Sequence, residues 1–524
     1  MNCSRTKPEE VYSTCRRLVS SRDWSTLMEE SRENTVWQDI PKIISSKGQE
    51  MGFPEYLHDL SRLEAALQAC LDMQEDMPAQ PEQKMLNPSL LILELQWQGL
   101  TGLVDSSGKK DLSPVHGPET VLVWLDPLKN LARAQPADER ILLALKIVAE
   151  NLHMGNTALE HKIPVGGGGG LVLAPESGLK RNPAIFIPLE KTFERFLQPR
   201  VFTLQWHITQ ACDLNCKHCY DRTSRREMSF DSALQVLDHL EEFCRTKKVR
   251  AKVTFTGGNP LLYSHFDQLY LETVKRGFPV NILGNPASRQ RLERLLEIQT
   301  PSMYQVSLEG LREYNDFVRQ QGYFDKVMNF LPLLRELGIP SQVMLTLTRD
   351  NMDQVLPLGE LLRDRADTFT FNRLSAVGQG ADLLMPAPED YRSFLKEYIQ
   401  ETANNPVLGL KDNLINIIRD ENEDKPFGGC TGFGCGAGFN FATLLCDGEV
   451  HACRKFPSYM GNIFNEGLLN SYDSKAGIRY RDGSAACRQC KLLPACGGCQ
   501  AVIFSLGLDP SLDRDPYCFY SLAP

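Results

Sequence analysis

Three cysteines, Cys212, Cys216 and Cys219, crowd into eight positions of the stretch "ITQACDLNCKHCY". Spacing C-x3-C-x2-C lets one short loop wrap one face of an iron–sulfur cubane, whose irons are held by thiolates. Three protein ligands leave one iron open, and an open coordination position takes substrate where a closed shell is structural. The run differs from the ferredoxin pattern C-x2-C-x2-C and lacks the histidine pair at finger spacing that zinc favours. Of the 16 cysteines, nine more fall from Cys430 to Cys518. The remaining four, Cys3, Cys15, Cys70 and Cys244, sit singly in helical segments, where a packed thiol is the plain reading.

From residue 200 short β-rich runs alternate with helical ones six times, from "VFTLQWHIT" and "SFDSALQVLDHLEEFCRT" to "TFTFNRLS" and "APEDYRSFLKEYIQETA". The alternation predicts an α/β fold with a parallel sheet and outer helices, barrel-like or doubly wound. In both, ligands gather at the carboxyl ends of the strands, and the three-cysteine loop follows the first strand. Upstream, residues 1–85 form a helical region that runs out into a Pro- and Gln-rich connection, and 86–165 a small α+β or winged-helix unit. Residues 166–199 open with Gly166 to Gly170. These glycines run into "LVLAP" and not into the Gly-Lys-Ser/Thr of a phosphate loop, so a hinge is expected. Residues 200–425 hold the β/α array. Residues 426–524 are Gly- and Cys-rich, a domain in which metal bonds replace a core.

With 42% hydrophobic and 23% charged residues over 524 positions, the chain reads as globular. No apolar run approaches the roughly eighteen residues of a membrane span, and charges interrupt the N-terminus where a secretory signal would be apolar. A cytoplasmic location is expected. The net charge of −9 gives no global attraction to phosphate backbones, so nucleic acid is not the default partner.

"CDLNCKHCY" after the first strand of a six-unit β/α array resembles the radical S-adenosylmethionine (radical SAM) superfamily. The resemblance implies a partial (β/α)6 barrel, with Cys212, Cys216 and Cys219 holding a [4Fe–4S] cluster whose open iron is chelated by SAM. One electron then cleaves the sulfonium to a 5'-deoxyadenosyl radical. Tyr220 would lie near the adenine. "TFTGGNP" resembles the family's Gly-Gly-Glu-Pro: Gly257 and Gly258 would let backbone approach the SAM amino group, and Asn259 replaces the acid. Ser307 in "QVSLEG", Arg319 in "RQQGYF" and Arg373 in "FNRLS" are the further SAM-contact candidates that the resemblance implies. For Ser307 an ordinary strand polar residue, and for Arg319 a surface charge, are the alternatives.

The C-terminal cysteines resemble the SPASM extension, which carries two auxiliary [4Fe–4S] clusters. By that scheme Cys430, Cys435, Cys453 and Cys499 hold one cluster and Cys487, Cys490, Cys496 and Cys518 the other. Cys496 and Cys499 stand two residues apart where the pattern has three. Cys446 is expected to be a packed thiol. A zinc ribbon would want its two C-x2-C pairs about 15–20 residues apart, and here the gap is five. Two closed auxiliary clusters imply electron transfer.

Together the resemblances imply an oxidoreductase that modifies a ribosomally made peptide by thio/seleno-oxazole or thioether formation, most like the maturases of thio(seleno)oxazole peptides. The peptide would be recognised by the N-terminal region, and a small electron-donor protein would supply electrons. Three other readings stay open: a formylglycine-forming sulfatase-maturase-like enzyme, a radical SAM enzyme acting on a metabolite or tRNA, and a non-catalytic iron–sulfur or zinc scaffold.

Overall fold

The computed structural model describes residues 7–30, 37–74, 77, 85–105, 113–126, 130–149, 170–173, 177–186 and 189–521. Cys3, Gly166 to Gly169 and most of the 75–84 connection lie outside the described residues. The chain divides into two compact units, Met1–Glu176 and Ser177–Pro524.

In the first unit the helix Leu57–Asp72 places Leu57, Leu60, Leu63 and Cys70 at helical spacing on one buried face. That face packs with Leu95, Val121, Val123 and Leu125 of a three-stranded antiparallel sheet formed by Leu91–Gln98, Val115–Asp126 and Leu131–Pro136. The helical region and the α+β region therefore share one core, because neither amphipathic face could be buried alone. The Cys15 and Cys70 thiols are packed in it. Beyond the glycine run, Val172–Leu173 pairs antiparallel with Met85–Leu86, so the stretch read as linker begins as a strand of this unit.

The second unit holds a nine-stranded sheet. Its strands are β1 (Val201–Thr209), β2 (Arg250–Gly257), β3 (Val280–Leu283), β4 (Met303–Ser307), β5 (Ser341–Leu347), β6 (Thr368–Arg373), β7 (Phe441–Leu444), β8 (Glu449–His451) and β9 (Tyr459–Asn462). The order is β6-β5-β4-β3-β2-β1-β7-β8-β9, parallel from β6 through β7. This is the expected six-strand β/α array. Alternation along each strand sets its two faces. On β1, Phe202, Leu204, Trp206 and Ile208 are buried in the core, while Thr203, Gln205 and His207 line an interior cavity.

Six parallel strands do not close, which leaves an edge at β1. Strand β7 covers it, pairing Phe441 with Thr203 through Leu444 with Trp206, and β8 and β9 continue antiparallel. The cysteine-rich C-terminal region thus extends the sheet of the array and shares its core, through Tyr472, Ile463 and Val502.

Candidate functional site

Beyond Thr209 the chain leaves the sheet in the cysteine loop and re-enters regular structure at the helix Phe230–Lys247. Ser229 caps that helix, its Oγ accepting the Ser232 N–H at 3.2 Å. Three backbone bonds seat the loop. Gly258 N–H donates to Thr209 O (2.9 Å), Asn259 N–H to Ala211 O (2.7 Å) and Lys217 N–H to Val318 O (2.8 Å). The glycines of "GGNP" have a reason that the sequence comparison with SAM-binding loops did not suggest. Gly257 sits at φ +137°, and a Cβ there would stand 2.2 Å from Thr209 O; at Gly258 it would stand 2.1 Å from Ala211 O. The cysteine loop's own backbone occupies that space. Gly258→Ala is expected to displace the loop, so that anaerobically reconstituted protein loses about four of about twelve irons. Retention of the full iron count would contradict this.

Cys212 faces Asn285, whose Nδ2 reaches its Sγ at 3.9 Å and donates to Asp213 Oδ1 at 2.5 Å. Asn259 Nδ2 also donates to Asp213 Oδ1 (3.1 Å), and its Oδ1 accepts from Leu261 N–H (3.3 Å). Asn259 is buried and its side chain is spent on positioning the loop, unlike the SAM contact expected from its place in the motif.

Cys216 meets Arg319, whose Nη1 lies 3.8 Å from its Sγ. Nε and Nη2 of Arg319 donate to Glu309 Oε1 at 2.9 and 2.5 Å. Arg319 is therefore no surface charge. His218 Nε2 stands 3.3 Å from the same oxygen, and Thr346 N–H donates to Glu309 Oε2 at 2.7 Å. Burial pushes His218 down to about 4; Arg319 Nη2 stands 3.5 Å from the same His218 Nε2 and carries the countercharge to Glu309. Burial alone would raise the Glu309 carboxyl, but His218, Arg319 and the Thr346 N–H outweigh it and hold it below the usual range. Glu309 and Asn285 escaped the sequence reading; only their partners in the fold mark them.

Half-buried Tyr220 has His207 at its edge (6.3 Å between ring centroids) and the Arg454 guanidinium 5.7 Å over its ring. Arg454 also pairs with Asp221. Ser307 ends β4 and lines the cavity.

Arg373 behaves differently from the expected SAM contact. Although it lines the cavity, Arg373 is only 3% exposed and each guanidinium nitrogen is engaged: Nε donates to Asp412 Oδ2 (2.8 Å), Nη1 and Nη2 to the two oxygens of Asp515 (2.9 and 2.7 Å). Asp515 Oδ2 in turn accepts the Cys499 N–H at 2.9 Å. Arg373 clamps the end of β6 to the C-terminal cysteine loops.

Those loops sort their cysteines into two groups. Burial pushes the Cys435 thiol up to about 12, with Cys499, Cys430 and Cys453 near enough to repel its thiolate as well. Burial likewise raises Cys487 to about 11, with Cys490 and Cys518 adding to it. Cys496, raised by burial, feels Cys518, Cys490 and Cys487. Cys446 is buried outside both groups. Arg181, missed by the sequence reading, ties the loops together by donating to the carbonyls of Phe433 (3.1 Å), Pro494 (3.2 Å) and Cys435 (2.7 Å).

A cavity of about 990 Å³ is lined by Cys212, Cys216 and Cys219 and also by Cys430, Cys435, Cys453 and Cys499. A second, smaller cavity is lined by Cys487, Cys490, Cys496 and Cys518. Each group gathers thiols whose thiolates repel one another, a donor set that iron would relieve. Among the described residues no three His, Cys, Asp or Glu side chains converge on one ion.

Residues 206–362 match the model of the radical SAM superfamily, and residues 435–500 match SPASM, an iron-sulfur cluster-binding domain. Mycofactocin maturase MftC of Mycolicibacterium smegmatis is 29% identical over 63% of this chain and 85% of its own. The antilisterial bacteriocin subtilosin biosynthesis protein AlbA of Bacillus subtilis is 25% identical over 66% of this chain and 72% of its own. An AdoMet-dependent heme synthase of Methanosarcina barkeri is 23% identical over 60% and 96%. In fold, the chain is similar to Streptococcus suis SuiB bound to S-adenosylmethionine, with TM-score 0.50 and 17% identity over 76% of this chain and 96% of that one. Among the described residues no helix is long and apolar enough to cross a membrane.

Proposed function

We propose that this chain, a radical SAM enzyme with a C-terminal SPASM domain, is a maturase that oxidatively modifies a ribosomally made peptide, by thio/seleno-oxazole or thioether formation. The observation that carries the reading is the shared cavity: the three-cysteine loop and four C-terminal cysteines line one chamber. Bound [4Fe–4S] clusters and SAM supply reductive sulfonium cleavage, hydrogen abstraction and an electron sink.

The chain's own residues hold and orient these groups. Cys212, Cys216 and Cys219 would leave one coordination position for SAM. Arg319, held by Glu309, donates toward the Cys216 sulfur, and Gly257, Gly258 and Ser307 line the space beside it. Cys430, Cys435, Cys453 and Cys499 would hold the nearer auxiliary cluster, and Cys487, Cys490, Cys496 and Cys518 the farther. The polar inner face of the barrel receives the substrate residue. The unit Met1–Glu176 is assigned to leader recognition, and a small cytoplasmic electron carrier to reduction.

The likeness to MftC and AlbA supports a peptide substrate. The likeness to the heme synthase favours a second reading, a porphyrin substrate. Co-expression with short peptides encoded beside this chain separates them. The expected outcome is a peptide unreactive toward hydrazine and lighter by two hydrogens for each thioether, or by four for each oxazole ring closed from an amide oxygen onto a cysteine β-carbon, with one 5'-deoxyadenosine formed per two hydrogens lost. A hydrazine-reactive product indicates formylglycine instead. An unchanged peptide with a consumed porphyrin overturns the maturase reading.

A further inference from the structure

Lys252 lies on β2, five residues before Gly257, about 16 Å down the strand from the cysteine mouth. It lines the large cavity beside its cross-strand neighbour Thr203, with Gln205, Asn281, Gln305 and Gln342 on the same inner surface. Among the described residues nothing pairs with its ammonium. The two carboxylates that line the cavity are engaged elsewhere: Asp221 with Arg225 and Arg454, and Asp412 with Arg373. Burial pushes the Lys252 ammonium down, and no neighbouring carboxylate offsets it.

A lysine that serves only packing keeps its head in water or pairs it, since burying an uncompensated charge is costly. Lys252 is half-buried on the cavity wall with no pairing carboxylate, and its position is set by the period of the strand: Ala251, Val253 and Phe255 enter the core and Lys252, Thr254 and Thr256 the cavity. The negative charge of a cluster or of SAM at the cysteine mouth lies near the far end of the strand. What would complete Lys252 is an anion that reaches deep into the barrel, with surrounding amides to take its remaining oxygen.

We propose that Lys252 forms a subsite for a carboxylate of the substrate. This rests on the reading that a peptide residue enters the barrel, and it narrows that residue to one carrying an acidic side chain or lying at the free C-terminus.

The test uses the full-length, anaerobically reconstituted chain with SAM present. Three probes are titrated by saturation-transfer NMR: N-acetyl-glutamate methylamide, its glutamine counterpart, and N-acetylglycine with a free α-carboxylate. One carboxylate probe is expected to bind about tenfold tighter than the glutamine probe, as a charge-assisted hydrogen bond provides. Preference for the glutamate probe assigns an acidic side chain, and preference for N-acetylglycine a C-terminus. K252M and K252Q are expected to abolish the preference and K252R to keep it, with iron content checking that each is folded. Equal binding of all three probes by the unmodified chain overturns the proposal, as does a preference that survives in K252M or K252Q. These outcomes are separable from failure of the maturase reading, which would show as absence of 5'-deoxyadenosine and of peptide modification.

Discussion

Cys216→Ala is expected to reduce SAM cleavage to background while iron falls from about twelve to about eight per chain. The loop offers three thiols in all, so no spare ligand can take over. Partial burial raises the Cys216 thiol, Arg319 lowers it, and Glu309, Cys212 and Cys219 raise it further. Removing the sulfur leaves the Arg319 guanidinium, still held by Glu309, facing a void. Cys446→Ala is the control, since Cys446 is buried away from both C-terminal groups and from the cavity. It is expected to keep all the iron and full cleavage. A Cys216→Ala protein that still produces 5'-deoxyadenosine at the unmodified rate would remove the assigned role of the loop.

The second large effect is on stability. Arg373→Met is expected to lower the unfolding free energy by about 3–5 kcal/mol, the usual result of stripping one partner from a buried ion pair. Asp412 and Asp515, both under a tenth exposed, would be left without their cation, and the Asp515 contact to the Cys499 N–H would shift with them. Lysine cannot replace the guanidinium, because one ammonium cannot serve both Asp515 oxygens and Asp412 at once. Urea midpoints measured without oxygen check the direction. Adding D412N and D515N to R373M is expected to recover part of the loss, since the uncompensated charges are then gone. An unchanged midpoint in R373M would mean that the clamp contributes nothing.

What was legible in the sequence was what is local or periodic. The C-x3-C-x2-C loop, the six β/α repeats and the paired cysteine fields all announce themselves within a few residues, and in the structure Cys430, Cys435, Cys453 and Cys499 line one cavity and Cys487, Cys490, Cys496 and Cys518 another. Polar partners were not legible. Glu309 and Asn285 look like ordinary residues until β4, β5 and the loop after β3 bring them against Arg319, Thr346 and Asp213. Arg373 stands where the resemblance implies a SAM contact; its partner Asp515 lies 142 positions along the chain. Asn259 was judged by the acid that it replaces, whereas its amide and oxygen are spent on the loop. The strand Leu131–Pro136 in "LARAQP" carries little β-branched signal and is recruited by pairing with Val121–Asp126. Lys252 sat in plain view in "RAKVTFT", but its isolation became visible only once every neighbouring carboxylate had been placed.

The most direct measurement is electron–nuclear double resonance on the reduced, anaerobically reconstituted chain with SAM labelled at its amino nitrogen and carboxylate oxygen. Couplings of both labels to a [4Fe–4S] signal, abolished in Cys216→Ala, together with 5'-deoxyadenosine on turnover, are the expected result. Zinc in place of iron, or a cluster signal identical with and without SAM, would contradict it.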